Sequence, residues 1–195
     1  LNESIRNGFL KDADPIGFEN VKNEEFLKNA ISIFWERYGG KTYENLPPKL
    51  AIFAANVKEA TDVVRPCVEK ILSDLNIPLS TILVNTGDST VTKDEDIRNF
   101  NNLDVVGTEG SKKQFIILVE KGREGWNCRS LLGIALFRSP SSKIFVLQAT
   151  MRCLRKLTDD QLKATVFLSK ENMDTLDDEL QKNYNMELKD LGKTS

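Results

Sequence analysis

Histidine is absent from the 195 residues. That removes a Ser-His-Asp triad, a Cys-His dyad, HNH nuclease chemistry and His-ligated zinc from this chain. Cysteine is scarce. Cys67, Cys128 and Cys153 are odd in number and far apart, so they fit neither a zinc pattern nor a secreted disulfide framework. They read as buried thiols in a reducing compartment, and the expected location is cytoplasmic. No apolar run approaches the roughly 20 residues that cross a bilayer. Residues 1–14 mix charge with isolated apolar side chains and do not form a signal peptide. The chain begins at Leu1 where an initiator Met would stand, which reads as a piece of a longer protein.

A strong excess of either charge is also lacking. The 27 basic and 29 acidic residues leave a net charge of −2, so overall charge does not announce a nucleic-acid binder. The distribution says more. Between Lys112 and Lys156 lie ten basic against two acidic residues, a local +8 inside an acidic protein. Solvated surface charge is the ordinary explanation of such a run. This one coincides with the motifs described below, which favours a basic functional face. Hydrophobic residues at 40% and charged ones at 29% suit a soluble globular fold of one domain with a modest extension.

Residues 1–20 show no clean period. A helix is expected over 23–38, where Phe26, Leu27, Ala30, Ile31, Phe34 and Tyr38 form one stripe and Gly39-Gly40 a stop. From Lys49 onward short apolar runs alternate with helical stretches. Strands are expected at 50–55, 81–84, 115–119, 131–137 and 164–168, with helices at 58–75, 94–100, 142–154 and 170–183. Pro66 should kink the second helix or displace its start. Such alternation over about 120 residues argues for an α/β fold: a mostly parallel sheet with helices on both faces. The expected division is a connecting segment with one helix over 1–48, the α/β domain over 49–185, and a frayed end over 186–195. Ligands of such sheets sit beyond the carboxyl ends of the strands.

Two segments there carry chemistry. In Gln148-Ala149-Thr150-Met151-Arg152-Cys153-Leu154-Arg155, the two arginines are three apart and project from one side of a helix, with Gln148 a turn above Arg152. Arginine suits contact with a triphosphate, being always charged and presenting a planar fork to phosphoryl oxygens. Taken alone, this reads equally as a polar stripe whose arginines reach water. The second segment, Val119-Glu120-Lys121-Gly122-Arg123-Glu124-Gly125-Trp126-Asn127, follows an apolar strand directly. Glycines there let a backbone approach a phosphate. Alone, it is also compatible with an ordinary tight turn.

Together, in the order strand, Glu-Gly-Trp-Asn turn, strand, Gln-x-x-Met-Arg-x-x-Arg helix, they resemble motifs V and VI of superfamily 2 helicases. The likeness is greatest to the helicase–nuclease restriction subunit of type III restriction enzymes. Lys49 to Glu59 (KLAIFAANVKE) resembles motif IV, and Val84-Asn85-Thr86-Gly87-Asp88 falls where such domains place a backbone-binding glycine. The resemblance covers residues 49–168 and implies the second, C-terminal RecA-like domain: a three-layer fold with an N-terminal helical extension. It implies that Arg155 is the arginine finger, that Arg152 assists it, and that Gln148 couples nucleotide to nucleic acid. Gly125 and Asn127 would lie near the ribose and the interdomain cleft. Lys121, Arg123, Thr86 and Gly87 would approach the nucleic-acid backbone. ATP and Mg2+ would be held mainly by a first RecA-like domain of the same parent chain. The other implied partners are double-stranded DNA, gripped without sequence preference, and a methyltransferase (modification) subunit.

Met151 stands where the family has Gly, and Asn127 where it has Asp. No GxxxxGK[ST] loop occurs. Asp94-Glu95-Asp96 and Asp177-Asp178-Glu179 read as solvated acidic surface, and Glu187-Leu188-Lys189 reads as a chance match to nuclease letters. This fragment is therefore not expected to hydrolyse ATP by itself. The alternatives are a non-catalytic nucleic-acid or protein-binding module on a helicase-like fold and, ranked last, a flavodoxin-like small-molecule enzyme.

Overall fold

Three runs, KLAIFA, FIILV and LLGIAL, are apolar almost throughout, and a strand with that pattern must be covered on both faces. In the computed structural model, which describes residues 12–119, 128–137, 163–174 and 178, they are the centre of a six-stranded, all-parallel sheet. The strands are β1 (Asp12–Phe18), β2 (Lys49–Ala54), β3 (Ile82–Asn85), β4 (Phe115–Val119), β5 (Leu131–Leu136) and β6 (Lys163–Ser169). Their order is β1-β6-β5-β2-β4-β3. The register pairs Ile52 with Ile117 and with Ala135, so alternate residues of neighbouring strands line the same face.

One face, with Leu50, Ile52, Phe115, Ile117 and Phe167, packs under two helices. The first, α1 (Glu24–Tyr38), starts at Asn23, whose side chain accepts from Phe26 N at 2.8 Å, with Glu24 and Glu25 favoring the positive end of its dipole. It comes so close to β5 that a Cβ on Gly133 would stand 2.8 Å from Leu50 Cδ1 and 2.9 Å from Phe34 Cδ1, so a side chain there would force these two to shift. The second, α2, joins Val57–Glu59, a π-helical turn at Ala60–Val64 and Arg65–Asp74. Pro66, expected to disturb this helix, sits in the first turn of the last piece. Proline cannot donate to an i−4 carbonyl and crowds it. The wider turn before it, with Arg65 N–H bonded to Ala60 O, takes up the misfit without breaking the helix. On the opposite face Ala51, Phe53, Ile116, Leu118, Ile134 and Leu136 are equally buried. The helix α3 (Asp94–Asn101) packs beside β3.

A strand lies where residues 1–20 showed no period. β1 pairs along its whole length with β6, from Asp12 opposite Lys163 to Phe18 opposite Ser169. Arg37 of α1 ties them by donating to Asp14 Oδ2 at 2.7 Å and Thr165 Oγ1 at 2.8 Å. The stretch expected to be a connecting segment therefore contributes an edge strand to the sheet and a helix to its core. The expected helix 142–154, most of 170–183, and the expected frayed end lie outside the described residues. No helix among the described residues is long and apolar enough to cross a membrane.

Candidate functional site

Because all six strands run the same way, their carboxyl ends share one edge of the sheet. Among the described residues, three constructions stand on that edge. At the end of β2 the chain turns through Ala55 and Asn56 into α2. Asn56 Oδ1 accepts from Glu59 N at 2.8 Å, and Glu59 Oε1 accepts from Ala55 N at 2.9 Å. This reciprocal cap fixes both ends of the turn. Glu59 is 9% exposed, and its other oxygen lies 3.5 Å from Lys22 Nζ, just before α1. Asn56 and Lys58 stay exposed.

The second stands at the end of β3. Gly87 takes φ +81°, a left-handed conformation that suits glycine. Asp88 N donates to Thr86 Oγ1 at 3.2 Å, and Asp88 Oδ1 accepts from Thr90 N and Thr90 Oγ1 at 2.9 and 2.7 Å. The Thr90 hydroxyl and amide hold the Asp88 carboxyl below its ordinary range. The chain then returns, and Thr92, 2% exposed, bonds back to the end of the strand.

The third is a cleft of about 400 Å³ at the carboxyl ends of β1 and β6, lined by Glu19, Asn20, Val21, Lys22, Ser169, Lys170 and Glu171. Lys170 Nζ crosses to Glu19 Oε1 at 2.7 Å. That bond and the charge of Lys170 hold the Glu19 carboxyl below its ordinary range.

Of the residues singled out by sequence, Thr86 and Gly87 are described. Thr86 is 6% exposed with its hydroxyl engaged inside the turn, whereas Gly87 is exposed. Lys121, Arg123, Gly125, Asn127, Gln148, Arg152 and Arg155 lie outside the described residues. Sequence reasoning missed Glu59 and Thr92. An N-cap Asn followed three residues later by Glu was the available signal for Glu59. A threonine within a polar loop gave none for Thr92.

The amino edge of the sheet holds a different cluster. The Asp104 carboxylate accepts from Arg129 N at 2.6 Å, Ser130 N at 3.1 Å, Ser130 Oγ at 2.6 Å and Cys128 Sγ at 3.6 Å. Burial pushes its pKa up, but these donors outweigh burial and leave it below the ordinary value. Burial and the Asp104 charge push the Cys128 thiol up to about 12, so it is an inert packing group. Lys49 is fully buried, donating to Pro47 O at 2.9 Å and Ser111 O at 3.0 Å. Burial lowers its pKa to about 8, against the pull of Cys128 and Asp104. This cluster ties the 104–114 stretch and the 128–130 turn to the starts of the central strands.

No protein-family model matches the chain, and no curated protein does. Solved structures do match. Domain 2 of the DEAD-box helicase Mss116p, bound to an RNA duplex, aligns with a TM-score of 0.61 at 15% identity over 91% of this chain and 61% of that one. A fragment of an HsdR subunit of a type I restriction enzyme from Vibrio vulnificus YJ016 aligns with a TM-score of 0.60 at 14% identity, covering 94% of this chain and 35% of that one. S. cerevisiae Dbp5 bound to RNA and ADP BeF3 aligns at 0.54 and 14% identity, covering 90% and 39%. The chain spans less than two thirds of each of these proteins. At such identities the likeness concerns architecture: this is a RecA-like α/β fold, the fold of helicase domains.

Proposed function

We propose that this chain is the second RecA-like domain of an ATP-dependent nucleic-acid translocase, of the kind found in restriction enzymes. The observation that carries the reading is a coincidence of sequence and fold. The Glu124-Gly125-Trp126-Asn127 segment follows almost directly on the carboxyl end of β4, and Gln148, Arg152 and Arg155 come between β5 and β6, in a sheet shared with helicase domains. The letters of both segments resemble those of the type III restriction subunit. Duplex DNA is then the substrate, a modification subunit a partner, and the cytoplasm the location.

ATP and Mg2+ do not fit this chain alone. The sequence has no phosphate-binding GxxxxGK[ST] loop, and the described residues contain no group of three or more His, Cys, Asp or Glu side chains able to hold a metal ion. On this reading both are bound mainly by a first RecA-like domain. This chain's own contribution is charge and grip. Arg155 supplies an always-protonated guanidinium to oxygens of the transferring phosphoryl group, and Arg152 supports it. On this reading Gln148 would couple nucleotide to nucleic acid, and Gly125 and Asn127 would lie near the ribose and the cleft between domains. Lys121, Arg123 and the Thr86–Gly87 turn hold the nucleic-acid backbone, so grip falls steeply as salt rises and carries no sequence preference.

Arg155→Ala in the full-length parent is the test. Steady-state ATP turnover should fall by about 10³-fold or more while nucleotide binding persists. Turnover near the wild-type rate sinks the assignment. The departures at Met151 and Asn127 favour one second reading, a binding module that has lost hydrolysis. A parent gene lacking a phosphate-binding loop upstream would select it.

A further inference from the structure

The hydrogen bonds at the end of β3 can be counted proton by proton. Thr92 Oγ1 lies 3.2 Å from Val84 O, and a carbonyl only accepts, so the single Thr92 hydroxyl proton goes there. The same oxygen accepts from Thr86 N at 2.9 Å. It also lies 3.2 Å from Thr86 Oγ1, and its own proton is already used, so Thr86 must be the donor. Thr86 Oγ1 in turn accepts from Asp88 N. The hydroxyl proton and the amide of Thr86 are thus both consumed inside the turn. Gly87 differs. It is exposed, its φ is +81°, and among the described residues its N–H has no acceptor.

We propose that Thr92 is a positioning residue, whose buried hydroxyl braces Thr86 so that the Gly87 amide, and not the Thr86 side chain, meets a phosphodiester oxygen of the nucleic-acid backbone. The inference rests on the function proposed above and sharpens it. Thr86 is a strut, Thr92 is its anchor on β3, and the contact is a main-chain N–H fixed in direction before the ligand arrives. An N–H···O⁻ bond is charge-assisted, and its strength depends on that direction. The turn reads no base, in keeping with backbone grip.

The test uses this chain with labelled duplex DNA and duplex RNA, followed by fluorescence anisotropy between about 50 and 200 mM salt. Thr92→Val keeps the shape and removes the hydroxyl. It should weaken binding about tenfold, the scale of one hydrogen bond to a charged group, and leave the salt slope unchanged because no cation is lost. Thr92→Ser should restore affinity to within about twofold, since the hydroxyl is retained. Thr86→Val should match Thr92→Val, and the double variant should be no weaker than either single one, as expected of two parts of one strut. In amide NMR spectra the Gly87 N–H should shift when duplex is added to wild type, and shift far less in Thr92→Val.

Wild-type affinity in Thr92→Val overturns the proposal and leaves the domain's function standing. A Thr86→Val defect much larger than that of Thr92→Val, or additive losses in the double variant, makes the Thr86 hydroxyl the contact and also overturns it. If Thr92→Val does not fold, Thr86→Val and Thr92→Ser carry the same comparison. If wild type binds neither duplex, the nucleic-acid reading falls first and this inference with it.

Discussion

At the amino edge of the sheet, Lys49, Asp104 and Ser130 spend their polar atoms on nearby carbonyls and on one another. At the carboxyl edge, Asn56 and Gly87 sit on turns just as fully hydrogen-bonded, yet remain exposed. Hydrogen bonds brace the described turns at both edges, so bracing does not distinguish them. The direction of the leftover groups does. One edge closes the domain, and the other presents fixed polar atoms to solvent, which is what a surface for a second domain or a polyanion requires.

The contrast breaks if variants at the closed edge alter nucleic-acid binding by the folded protein. Asp104→Ala strips an acceptor from four donors and should have the largest effect. Loss of a partly buried, charged hydrogen-bonding group of this kind costs about 3 kcal/mol. Urea unfolding should show that loss, while the folded fraction binds nucleic acid as wild type does.

Lys49 gives a pH signature. Below pH 8 both the folded and the unfolded chain hold its proton, and the penalty of burying the charge is fully felt. Between about 8 and the ordinary value of 10.5 the unfolded chain keeps a proton that the folded one has released, so stability rises with pH. The gain over that window is up to about 3 kcal/mol. Lys49→Met should lack it, so unfolding curves of the two proteins from pH 7 to 10 should diverge in favour of wild type. Parallel curves would mean the amine keeps its ordinary titration. The smallest effect belongs to the open edge. Asn56→Ala removes a helix N-cap and should cost about 1 kcal/mol by thermal unfolding.

The centre of the fold was legible because burial on both faces demands continuous apolar strands. The expected strand at 115–119 coincides with β4, and those at 50–55 and 131–137 fall within a residue of β2 and β5. β1 was not legible. Its sequence DADPIGF carries two acids, a proline and a glycine, and only an edge position makes that tolerable. The burial of Lys49 was not legible either. A lysine beside an apolar run looks like a solvated flank, and only the Pro47 and Ser111 carbonyls converging from separate loops make its burial affordable. The Thr86–Gly87 turn could be located from its letters, but that the Thr86 hydroxyl is consumed inside it could not. That follows from Thr92, six residues on, through a hydrogen bond that no spacing rule encodes.

The pairing of β1 with β6 bears on how the molecule is made. In the sheet order β6 is the neighbour of β1, yet about 150 residues separate them in sequence. During synthesis at about 5–20 residues per second, the first strand must wait on the order of ten seconds or more for its partner to leave the ribosome. Once β5 has emerged, the nascent sheet carries an open edge on it until β6 arrives, and the hydrophobic face beneath α1 is only partly closed. β6 thus acts as a latch, and a message cut short before it would yield a chain with that edge exposed.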